Sequence, residues 1–163
     1  MRRYSLHLLL FLALVLASAC DKKSTNISEP QSDKPKAPVE VEVTNPKAGT
    51  PEDVVRRVLI AGLDPNEATG FAKYLKLVHT SFRDTPNGIK MRRTFEWPRL
   101  RKQAIHYVKS KSDPSFIITR RGISQNSLRL FVKWRNGKGL PKPIVLQKDP
   151  KDGNRWRVIA TSL

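Results

Sequence analysis

Cysteine is almost missing from this chain: Cys20 is the single one in 163 residues. One thiol excludes an internal disulfide framework. With only three histidines, it also leaves too few ligands for a structural zinc site. Glycines occur singly, mostly in turns, so no glycine-rich phosphate loop is present. There is no Gly-x-Ser-x-Gly elbow to present a nucleophilic serine. Acidic side chains are scarce, 14 against 31 Lys and Arg, for a formal charge of +17. No apolar run suffices to span a bilayer; the longest, Leu6 to Leu16, is about half of the roughly 20 residues required.

That run has a specific setting. Arg2 and Arg3 precede it and Ala17-Ser18-Ala19 follows it. A cationic start, a short apolar stretch and small residues make a secretion leader, so residues 1–19 are expected to be a signal peptide. The stretch Leu16-Ala17-Ser18-Ala19-Cys20 resembles the lipobox of bacterial lipoproteins. That resemblance implies a diacylglycerol on the Cys20 thiol, cleavage just before it and acylation of the new amino group. Leu16 stands one position earlier than the family prefers, with Ala17 in its place. Ala17-Ser18-Ala19 also fits ordinary signal peptidase cleavage, and that alternative stays open. Lipidation has the second merit of using up an odd cysteine in an exported chain. Several acyl chains anchor stably where one is marginal. Asp21 resembles an inner-membrane retention signal of enterobacterial lipoproteins, a rule that varies among bacteria.

Residues 20–50 read as the lipidated cysteine and a disordered linker. They hold Pro30, Pro35, Pro38 and Pro46 among polar residues, without an aromatic. Such a segment buries too little apolar surface to offset its ordering entropy. Val39, Val41 and Val43 alternate with Glu40 and Glu42, and an edge strand there is the alternative reading. Apart from Arg2 and Arg3 the first 50 residues are electrically balanced. The rest of the positive excess therefore falls on a single basic domain, residues 51–163.

The domain opens with Thr50-Pro51-Glu52-Asp53: a cap, a proline at the first helical position and two acids at the positive helix end. Val54, Val55, Val58 and Leu59 keep helical spacing up to Gly62. Asp64-Pro65-Asn66-Glu67 predicts a second helix, capped by Asp64 and ending near Thr80. Asp84 to Gly88 reads as a turn. A third helix is expected from about Glu96 to Lys109. The period then changes to two. Strands are expected at Ser115–Arg121, around Leu128–Arg135, at Ile144–Leu146 with Pro143 at its start, and at Arg155–Ala160. Helices followed by consecutive strands indicate an α+β fold: three helices packed on a curved antiparallel four-stranded sheet. This order, the opening Pro51 to Val55 helix and the closing Gly153-Asn154-Arg155-Trp156-Arg157-Val158 strand resemble the nuclear transport factor 2-like cone fold. The resemblance implies a pocket between helices and sheet, in a family that includes enzymes, transport factors and modules without activity.

Two candidate sites follow. Pocket enzymes of that family imply a base inside the cone, which singles out His79, Asp84, Tyr74 and Tyr107; a solvated or helix-ending His79 is the plainer reading. His106, among Lys and Arg, is expected to be exposed. Trp97, Trp134 and Trp156 with Phe71 and Phe116 are pocket walls or core, and core is the commoner role. The other site is electrostatic. Alternation places Arg129, Lys133, Arg135, Arg155 and Arg157 on the outer sheet face, around Phe131 and Ile159. The plain reading is a solvated face guarded against edge pairing. The functional reading is docking onto an anion: lipid headgroups, lipopolysaccharide, a cell-wall polymer or an acidic envelope protein. Nucleic acid fits the charge but not an exported chain. No cofactor is implied, and self-association is left open. The sequence thus favours a lipid-anchored, non-enzymatic binding or scaffolding protein of the bacterial envelope, facing periplasm or exterior. A small-molecule binder or enzyme using the cone pocket is the alternative.

Overall fold

A computed structural model describes residues 40–163. The expected signal peptide, Cys20 and most of the expected linker lie outside them. The described chain is α+β, with one antiparallel sheet whose five strands follow sequence order: β1 Val41–Val43, β2 Phe116–Ser124, β3 Ser127–Lys133, β4 Lys142–Asp149 and β5 Arg155–Thr161. The helices are α1 Pro51–Gly62, α2 Glu67–Leu75, α3 Thr80–Arg83, α4 Pro86–Met91 and α5 Trp97–Tyr107.

The expected three helices and four strands are five of each among the described residues, and four local expectations are corrected as well. The linker ends earlier than residue 50. Val43 lies opposite Phe116 and is 9% exposed, so β1 is an edge strand despite its lack of aromatics. Asn66, not Asp64, caps α2: its side chain accepts from Thr69 N–H at 3.0 Å. Asp64 instead accepts from Asn66 N–H and from Lys73 Nζ, at 2.9 and 2.7 Å. Helix α2 also stops short of Thr80, because residues 77–79 turn extended and lie along β5. His79 N–H donates to the Val158 carbonyl at 2.9 Å, and Val158 N–H to Leu77 at 2.8 Å. That bridge covers the backbone edge of a strand that would otherwise be open. Finally, the expected turn after Asp84 is helical: Thr85 caps α4, Pro86 takes its first position, and one π turn, Arg92–Glu96, joins α4 to α5. A π turn holds an extra residue. Arg92 and Trp97, five apart, thereby both face inward, 5% and 1% exposed.

The apolar stripe of α1, Tyr74, Trp97, Leu100 and Tyr107 meet Ile118, Leu130, Val132, Ile144, Leu146 and Val158 from the sheet in one core. The inward face expected of β3 is the observed one: Leu130 and Val132 are buried, Leu128 and Trp134 half-buried. A bulge between Val145 and Leu146 shifts the β4–β5 register. Arg92 is held inside by Glu96 and by the Ile159 carbonyl at 2.6 Å.

Candidate anion-binding cleft

The pocket candidates do not converge. Tyr74 is fully buried and donates to Glu96 Oε2 at 2.6 Å. Burial, then the Glu96 carboxylate, pushes its pKa well above the usual phenol range. Tyr107 is also fully buried and packs edge-on against Trp134, with burial again pushing its pKa up. Asp84 is exposed and pairs with Arg83 at 3.4 Å. His79 caps α3, its Nδ1 accepting from Ser81 N–H at 3.2 Å. Its Nε2 stands 3.8 Å from Asp149 Oδ1, beyond hydrogen-bond reach. His106 is half-buried rather than exposed, stacked on Trp134 at 4.8 Å between centroids. Trp97, Phe71 and Phe116 are core.

Asp149 is fully buried. Burial raises its pKa, but the Thr80 N–H and hydroxyl, at 2.8 and 3.0 Å, His79 and the Lys151 N–H outweigh it. The carboxyl stays below its ordinary range and clamps the α3 entrance to the end of β4. Both oxygens are thus occupied, and the imidazole beside them already serves as a cap. The cluster acts as a structural clasp.

The five basic residues divide into three groups. Lys133 bonds Glu40 at 2.6 Å, and Arg135 pairs with Glu42, so carboxylates of β1 and the residue before it neutralise two of them. Arg129 is exposed and has no ion-pair partner among the described residues. Arg155 and Arg157 belong to a different place. Arg157 is 8% exposed, not on an open sheet face as alternation suggested. Its Nε and Nη2 reach Asp152 Oδ2 at 2.7 and 2.6 Å. Arg83 Nη1 meets the same oxygen at 3.3 Å, and Arg155 Nε stands 3.7 Å from Oδ1. Asp152 sits in a short 3-10 turn, Pro150–Asp152, closed by left-handed Gly153 and Asn154 at φ 61° and 55°. Burial raises the Asp152 pKa, yet Arg157 first, then Arg155 and Arg83, pull it below the usual range.

Around this hub lies a cleft of about 350 Å³, bordered by Arg57, Lys76, Arg83, Arg155 and Arg157 with only Asp53 and Asp152 as carboxylates. Asp53 is engaged by the Gly49 N–H at 3.0 Å and stands 3.9 Å from Arg57 Nη1. Five cations against two acids leave the cleft positive. Arg57 and Arg155 keep more than half their side-chain surface in solvent, so they are free to swing onto a ligand. Such an array suits phosphate or carboxylate groups, since guanidinium forks match planar or tetrahedral oxyanions. Sequence reading had selected Arg155 and Arg157 but missed Arg57, Lys76 and Arg83. Only Arg57 carried a local signal, four residues after Asp53. A larger groove, about 610 Å³, opens at the β2–β3 hairpin between Ile123, Leu128, Lys148 and Trp156. It is lined by hydroxyls, amides and apolar groups, with Lys148 its one charged group and neither carboxylate nor imidazole. Among the described residues no group of three His, Cys, Asp or Glu is placed to hold a metal ion, and no helix is long and apolar enough to cross a membrane. Comparison with protein-family models, curated proteins and solved structures found no match in any of the three.

Proposed function

We propose that this protein is a lipid-anchored component of the bacterial envelope that binds an oxyanion-bearing polymer without catalysing its conversion. The observation that carries the binding part is the cleft of Arg57, Lys76, Arg83, Arg155 and Arg157, whose cations outnumber its carboxylates. The anchoring part rests on the Cys20 lipobox and the leader before it. The cone-family reading rests on the sequence motifs and is compatible with helices preceding an antiparallel meander. The non-enzymatic part is supported by the scatter of Tyr74, His79, Asp84 and Tyr107 among separate structural duties.

Calorimetric titration with inorganic polyphosphate at low and high salt tests the binding part. Binding that weakens with salt, and weakens further in Lys76→Gln and Arg57→Gln, supports it. Affinity unchanged by either variant removes the cleft from the account. Intact mass and membrane fractionation of wild type and Cys20→Ala test the anchor separately.

A further inference from the structure

A second surface carries charge of a different kind. From Thr85 to Ser112 the chain holds eight Lys and Arg and one acid, Glu96, and that acid is bound by Arg92. The extra residue of the π turn turns Arg92 and Trp97 inward and leaves Phe95 outside. Met91 is 56% exposed, Phe95 50% and Ile105 39%. Lys90, Thr94, Pro98, Arg99 and Lys102 are exposed beside them. Exposed apolar side chains set among cations, on a helix whose opposite face is core, form the pattern of an interfacial helix. Scattered exposed apolar residues are ordinary; Met91 and Phe95, four apart along the helical run and set among exposed cations without an unpaired acid between them, form a closer pair than that. A second copy of the chain would bring like charges together on this face, whereas an anionic lipid surface supplies the opposite sign. We propose that the α4–π–α5 face lies flat on an anionic bilayer, inserting Met91 and Phe95 at headgroup depth. This contact is separate from the cleft and from any acyl anchor, so each of the three fails or stands alone.

The test uses the full chain in a Cys20→Ala background, which removes the only thiol. A single cysteine is introduced as Phe95→Cys or, on the hairpin, as Ile123→Cys, replacing a side chain 88% exposed. Each carries an environment-sensitive fluorophore. On vesicles of phosphatidylglycerol mixed with phosphatidylcholine, the label at position 95 is expected to shift blue and to be quenched by lipid-borne nitroxide. The label at 123 should stay water-exposed, and neither should respond on phosphatidylcholine alone. Each surface cation contributes about fivefold to affinity, so Lys90→Gln, Arg99→Gln and Lys102→Gln together should lower it roughly a hundredfold at low salt. A label at 95 that remains in water while the protein is bound to the anionic vesicles overturns the proposal. So does failure to bind those vesicles, or equal response of positions 95 and 123.

Discussion

Asp152→Asn should lower stability and raise anion affinity at once. Asp152 neutralises the nearly buried Arg157 guanidinium, 9% exposed in its side chain, and also meets Arg83 and Arg155. Breaking a buried pair by removing one partner costs about 3–5 kcal/mol. Asparagine retains an oxygen that accepts one of these bonds, and part of the site is wet, so about 2–3 kcal/mol is expected. For a domain of this size that lowers Tm by roughly 10 °C. The same substitution removes a negative charge from the cleft proposed to receive an anion. Between water-like and protein-surface dielectrics, with screening, that repulsion is worth about 1 kcal/mol, or roughly fivefold in Kd. Urea unfolding and a phosphate titration by calorimetry read the two effects. Because ligand binding stabilises by mass action, phosphate should also restore more Tm to the variant than to wild type. Loss of anion binding together with stability would refute the reasoning, since Asp152 would then be needed only to hold the arginines in place. An unchanged Tm would refute the buried pair.

Three further outcomes follow from the fold. Arg92→Met strands Glu96 and the Ile159 carbonyl, and should cost about 3 kcal/mol in urea unfolding; Tyr74→Phe, which loses one bond to the same carboxylate, should cost about 1–2. Asp149 has its pKa lowered in the folded state, so its contribution is complete above the ordinary carboxylate pKa of about 4 and is lost as pH falls below it. Wild type should therefore lose stability steeply below about pH 4, and Asp149→Asn should flatten that loss while starting about 2 kcal/mol lower, as read from Tm against pH. A chain starting at residue 45 loses Val43 and the partners of Lys133 and Arg135; it should be about 2–3 kcal/mol less stable than one starting at residue 40, where a plain linker would make no difference.

The elements whose signals are local were readable from sequence. Thr50 and Pro51 begin α1 as expected, with the Thr50 side chain accepting from Asp53 N–H at 3.3 Å. The alternation in β3 placed its inner face correctly, because each side-chain position there follows from a period of two. What failed depends on distant partners. Alternating valines suit a strand but do not make one without a partner; Phe116, across from Val43, supplies it from far along the chain. Asp64 and Asn66 are both good caps, and the choice between them is set by Lys73, which holds Asp64 elsewhere. The π turn has no composition of its own, since it arises from the need to bury Arg92 and Trp97 together. The cleft itself was not legible in the sequence. Alternation selected Arg155 and Arg157 but set them on an open sheet face with Arg129, Lys133 and Arg135, whereas Arg157 is nearly buried, and a charge pattern does not say which arginines are neutralised. Asp152 and Arg83 are 69 residues apart, and no local spacing joins them.

The cleft at Asp152, rather than the basic residues in and just after β3, is proposed to receive the anion. Amide and guanidinium chemical shifts followed during titration with inorganic phosphate test it most directly. The account predicts saturable shifts at Arg57, Lys76, Arg83, Arg155 and Arg157, with Arg129, Lys133 and Arg135 unmoved. Shifts confined to Arg129, Lys133 and Arg135, or spread evenly over all exposed cations without saturation, would contradict it.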